Sequence, residues 1–124
     1  MTHTDENSTR VLLVEDDPWI RSLLTDLLPT EGYFVEEATN GPSALRLAKE
    51  HRPNVVLLDL AMPEMSGVDV LRELRQDRAT ENLPVIVVSA YTAQLALSGP
   101  LRADAVIQKP IDLGDLLSQI GRVT

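Results

Sequence analysis

The chain predicts an α/β domain in which a doubly wound, five-stranded parallel sheet carries helices on both faces. Three observations point there. Short tracts such as VLLV (11–14), VVLL (55–58) and VIVV (85–88) are apolar throughout, as strands covered on both sides are. The segments between them repeat apolar residues at spacings of three and four, the mark of one helical face. Strand and helix alternate five times, which calls for right-handed crossovers and a three-layer sandwich. At 124 residues, 44% of them apolar, the chain is one domain with a proper core.

VLLV followed by EDDP reads as a buried strand ending in acids. Pro18 suits the first position of a helix, with Asp17 as its N-cap. Ile20, Leu23, Leu24, Leu27 and Leu28 recur at helical spacing, and Pro29 and Gly32 end the helix. YFVEEA (33–38) is a half-exposed second strand. NGPSALRLAKEH (40–51) is a helix turned at Asn40 and Gly41, with Ala44, Leu45, Leu47 and Ala48 inward, and RPN breaks it. Pro53 and the β-branched pair that follows favour a strand at 55–58 over a buried helix. GVDVLRELRQD (67–77) is a third helix with Val68, Leu71 and Leu74 on one face. LPVIVVSA (83–90) is the fourth strand. YTAQLALSGPLRA (91–103) is a weaker helix, cut short by Ser98, Gly99 and Pro100. AVIQKP (105–110) is the fifth strand, and DLGDLLSQIGRV (112–123) is a closing helix with Leu113, Leu116, Leu117 and Ile120 inward.

The formal net charge of −8 argues against direct nucleic-acid binding, which needs a basic stripe, and suits a cation site or a basic partner surface. No apolar run approaches the ~20 residues that span a bilayer. The polar start MTHTDENSTR is not a signal peptide, and residues 1–9 read as a flexible arm before a single domain over 10–124. There is no cysteine, so neither a disulfide framework nor a thiolate zinc site is available, and a cytoplasmic location is expected.

In a parallel sheet the residues after each strand collect on one edge, where open α/β sheets bind their ligands. The first strand delivers Glu15, Asp16 and Asp17, the third Asp59, the fourth Ser89 and Ala90, the fifth Lys109 and Pro110. The first and third strands are neighbours at the switch point of the flavodoxin-like order 2-1-3-4-5. Convergent carboxylates need a counter-charge. Oxygen donors with room for water suit Mg²⁺ (or Mn²⁺), and Lys109 can offset charge or hold a phosphate. A metal, a carboxylate nucleophile, a cation and a hydroxyl donor are the parts of phosphoryl transfer.

With these residues the chain resembles the receiver domain of two-component response regulators, over Arg10 to Val123. LLVEDD, LLDLAMPEMSG, VIVVSA and VIQKP carry the resemblance, each at its own strand end. It implies that Asp59 accepts a phosphoryl group from a sensor histidine kinase or phosphotransfer protein in a Mg²⁺-dependent reaction. It implies that Asp16 ligates the metal directly, Glu15 mainly through water, and the Ala61 backbone carbonyl completes the shell. Ser89 would contact the phosphoryl group and Lys109 pair with it, ahead of a cis Lys109–Pro110 bond. Met62, Pro63 and Gly67 would shape the loop beneath. The domain would catalyse its own phosphorylation and dephosphorylation and switch an output partner, with a homodimer face on the fourth helix, fifth strand and closing helix.

The chain departs from the family in places. Val106 stands where a switching aromatic is usual, with Tyr91 as a substitute or a cover for the site's rim. The stretch from Ser89 to Lys109 is short, and Arg102 stands where a Gly is common. Two positions flank the phosphate in that family, and the resemblance places small Ala61 and bulky Tyr91 there, which implies slow dephosphorylation. Met62 and Met65 read as packing residues and Trp19 as a structural one. His3 and His51 read as surface residues. An alternative is a receiver-like interaction module that works without phosphate, and a third reading is a small Mg²⁺-dependent phosphohydrolase. The chain is expected to be a free-standing regulator or a receiver excised from a larger protein.

Overall fold

The computed structural model describes residues 8–62, 64–89 and 103–124. Five strands, β1 (Arg10–Val14), β2 (Phe34–Ala38), β3 (Val55–Asp59), β4 (Val85–Ser89) and β5 (Ala105–Gln108), form one sheet in the order β2-β1-β3-β4-β5. Every neighbouring pair is parallel. The helices are α1 (Pro18–Leu27), α2 (Gly41–His51), α3 (Gly67–Gln76) and α4 (Leu113–Val123), and a 3-10 turn at Leu28–Glu31 extends α1. The sheet order, and the alternation of strand and helix as far as β4, are as the sequence predicts. The helix expected over 91–103 lies, but for Ala103, outside the described residues, as do Pro63, Ala90 and Tyr91.

The two-residue period of the strands divides the core. Leu12, Val14, Val56, Leu58, Val85 and Val87 face α2 and α3, meeting Ala44, Ala48, Val70, Leu71 and Leu74. Val11, Leu13, Val55, Leu57, Ile86, Val88 and Ile107 face the other way, onto Leu24, Leu28, Leu116 and Ile120 of α1, its extension and α4. Helices therefore cover both faces, and β3 is buried along its whole length. That burial, at roughly 25 cal/mol per Å² of apolar surface, is what makes the central strands rigid supports for the residues at their tips.

Helix starts are set by side-chain caps. Asp17 accepts from the Trp19 N–H at 2.9 Å and Asn40 from the Ser43 N–H at 2.9 Å. Asn40→Ala should therefore lower stability by about 1 kcal/mol, as a shift of urea midpoint at constant slope.

Two expectations need correction. Trp19 is not structural: it is 79% exposed on the outer face of α1. Leu23 is exposed as well, because a stripe through Ile20, Leu24 and Leu28 leaves it turned toward solvent. In α3 the deepest stripe is Gly67, Val70, Leu71 and Leu74, and Val68, half-buried, packs against the same core as Leu71 and Leu74, as expected. Thr80, which the sequence did not single out, is buried and donates to the last-turn carbonyl of Leu74 at 2.7 Å.

Candidate functional site

The carboxyl ends of the central strands bring together the predicted acids. β1 ends at Val14, but the Glu15 N–H still donates to the Ala38 carbonyl at 3.1 Å, so the acidic turn leaves the sheet in a fixed direction. The Asp17 N–H donates to Glu15 Oε2 at 3.2 Å. β3 runs one residue further than predicted: Asp59 is within the strand, opposite Val88 of β4. Its side chain is consequently held by the most buried part of the sheet and is only 4% exposed.

Each oxygen of Asp59 has a donor. Oδ1 accepts the Ala61 N–H at 3.0 Å, and Oδ2 accepts the Lys109 ammonium at 3.2 Å. The same ammonium lies 3.5 Å from Glu15 Oε1. Lys109 is set by the end of the sheet, since its N–H donates to the Ser89 carbonyl at 2.8 Å, and the Lys109–Pro110 bond is cis. Ser89 is buried at the tip of β4, one residue beyond the partner of Asp59.

The loop after Asp59 folds back under it. The Gly67 N–H donates to the Leu60 carbonyl at 2.9 Å, and Ser66 caps α3 through the Asp69 N–H. Gly67 lies against the strand so closely that a Cβ there would sit 2.3 Å from the Asp59 carbonyl oxygen and 2.5 Å from Leu60 Cα. Glu64 takes a left-handed backbone, φ 67°. Met62 is buried and Met65 packs against the same core, as expected of packing residues.

Glu15, Asp16 and Asp59 each place a carboxylate oxygen within 4.8 Å of the other two. Burial raises the Glu15 carboxyl, and the hydrogen bond and negative charge of Asp59 push it further, to about 7. The Asp17 N–H and Lys109 act in the opposite sense. Burial pulls Lys109 down, but Glu15 and Asp59 outweigh it and leave the ammonium raised. Three carboxylates against one ammonium make a cluster short of positive charge, built from hard oxygen donors, which fits a small divalent cation.

Arg21 was not foreseen. Its Nη1 donates to the backbone carbonyls of Glu15 and Asp16, both at 3.2 Å, and its Nε pairs with Glu37 of β2 at 3.2 Å. Val106 is half-buried against the α2–α3 half of the core, and His51 is on the surface, paired with Glu36.

The family model for the response regulator receiver domain matches residues 11–121. The chain belongs to the response regulator receiver family. The polar-differentiation response regulator DivK of Brucella anthropi is 35% identical to this receiver over 116 residues, 89% of this chain and 91% of DivK. The transcriptional regulatory protein KdpE of Mycobacterium tuberculosis is 40% identical over 114 residues, 90% of the receiver but 49% of KdpE, so the receiver spans about half of that relative's length. Among solved structures, the receiver domain of a sensor histidine kinase from Pseudomonas aeruginosa superposes with a TM-score of 0.83 at 26% identity, over 93% of this receiver and 96% of that chain. That crystal structure has a magnesium ion coordinated in its active-site cleft. Among the described residues of this receiver, no helix is long and apolar enough to cross a membrane.

Proposed function

We propose that Asp59 is the phosphoacceptor of this receiver and that Glu15, Asp16, Asp59 and the Ala61 carbonyl bind Mg²⁺ (or Mn²⁺) beside it. The observation that carries the reading is the Asp59 carboxylate: buried at a strand tip, gripped by Lys109 and the Ala61 N–H, and facing two more carboxylates. The bound cation would neutralise charge on the transferring phosphoryl group. Asp59 supplies the nucleophilic oxygen: an Oδ–P bond forms as the P–N bond of a phosphohistidine on a kinase or phosphotransfer protein breaks. Lys109, already beside Oδ2, pairs with the new phosphate, and Ser89 donates to it from the adjacent strand tip. The β3 packing holds the nucleophile still, so little positional entropy remains to be lost. Cytoplasmic location and an output partner that discriminates the two states belong to the same reading. So does slow dephosphorylation, for lack of a polar side chain at Ala61.

Incubation with acetyl phosphate and Mg²⁺, followed by intact mass measurement, tests the proposal. The wild type should gain one phosphoryl group, and Asp59→Asn should gain none. An adduct that survives Asp59→Asn would sink the assignment, and no adduct on the wild type would favour a phosphate-independent interaction module.

A further inference from the structure

Asp16 lies in a turn rather than in a strand, so its carboxylate is only as well placed as the backbone of that turn. The sheet fixes the turn on one side, through the Glu15 N–H and the Ala38 carbonyl. On the other side stands Arg21. One guanidinium nitrogen takes the carbonyls of both Glu15 and Asp16, while Nε holds Glu37 on the neighbouring strand. The Arg21 N–H closes the first turn of α1 on the Asp17 carbonyl at 3.0 Å. The side chain is three-quarters covered, so these contacts are partly shielded from water. Three elements, β2, the acidic turn and α1, thus meet on one planar fork.

We propose that Arg21 is a positioning residue for the divalent cation: it holds the 15–16 backbone so that the Asp16 carboxylate converges on Asp59. This rests on the metal-binding reading above and goes beyond it, because Arg21 itself would touch neither cation nor phosphate. Positioning and electrostatics predict opposite signs here. A permanent positive charge near the cluster repels a cation, so by Coulomb's law alone neutralising Arg21 tightens Mg²⁺ binding. Loss of the fork loosens the turn and weakens binding. Lysine separates the two cleanly: it keeps the charge but replaces the rigid fork with a single nitrogen on a flexible stem.

The experiment is calorimetric titration of the unphosphorylated protein with MgCl₂, for wild type, Arg21→Lys and Arg21→Gln, with thermal melts of each. Outer-shell partners of metal sites are typically worth 10–100-fold in affinity, and weakening of about tenfold is expected in both variants. The fold should persist, because Leu24 and Leu28 carry the packing of α1 and its extension. Labelling by acetyl phosphate should slow at limiting Mg²⁺ and recover at saturating Mg²⁺. An Arg21→Lys protein with wild-type affinity, or an Arg21→Gln protein that binds more tightly, would overturn the proposal. Loss of the fold in both variants would overturn it too, making Arg21 a residue of stability alone. A wild type without saturable Mg²⁺ binding would instead bring down the metal-binding reading itself.

Discussion

Gly67→Ala should destabilise the protein by about 3–4 kcal/mol, far more than an ordinary alanine at a helix start. The added Cβ would fall 2.3 Å from the Asp59 carbonyl oxygen and 2.9 Å from its carbonyl carbon. Both are backbone atoms of a strand buried along its whole length, so neither side has a rotamer to give. Relief has to come from moving the start of α3 away from β3, which also breaks the bond from the Gly67 N–H to the Leu60 carbonyl. Because the displaced atoms belong to the proposed phosphoacceptor, labelling by acetyl phosphate should slow even where the variant is still folded. Gly121→Ala is the internal control. It stands in α4, where an added Cβ would meet nothing within 4 Å, and should gain about 0.5–1 kcal/mol from helix propensity. Urea denaturation followed by circular dichroism measures both, and equal effects at the two glycines would refute the close-packing account.

Glu15→Gln should raise the stability of the metal-free protein at pH 8 by about 2–3 kcal/mol while leaving it nearly unchanged at pH 4. Burial first, then the hydrogen bond and charge of Asp59, raise the Glu15 carboxyl from 4.5 to about 7 in the folded state. Between those two values the folded protein binds a proton that the unfolded chain has released, so stability falls as pH rises through the window and remains lost above it. Glutamine has no proton to lose, so its pH profile lacks that fall while its amide oxygen can still accept from the Asp17 N–H. Melts in a chelator from pH 4 to 8 measure the difference. Parallel wild-type and variant curves would remove the electrostatic basis for the charge deficit at the site. Added Mg²⁺ should narrow the gap at pH 8 by favouring the ionised wild type.

The parts of the fold that were legible in the sequence are those where burial alone dictates residue choice. β3 and β4 are covered on both faces, and an unbroken apolar run has no other comfortable home in a small domain. The acids were legible because parallel topology places every strand end on one edge, so Glu15, Asp16, Asp59 and Lys109 converge once the order is known. Helix faces were harder. Leu23 fits the spacing but sits at the margin of its stripe, where a rotation of one residue changes the neighbour from core to water. Trp19, just after the acids, reads as structural, yet it stands outward from α1. Arg21 and Thr80 could not be found by pattern, because the carbonyls they bind are backbone groups that every residue has, and the Arg21–Glu37 pair joins elements that only the fold brings together. The cis Lys109–Pro110 bond was anticipated through family likeness, not from spacing.

The outward turn of the chain's one tryptophan has a practical consequence. Its native emission should already resemble that of an indole in water and be open to quenching by iodide. Melting of the valine- and leucine-filled interior would then pass nearly unseen in the fluorimeter. The same optical silence makes the ring a sensitive reporter of whatever comes to rest on the first helix.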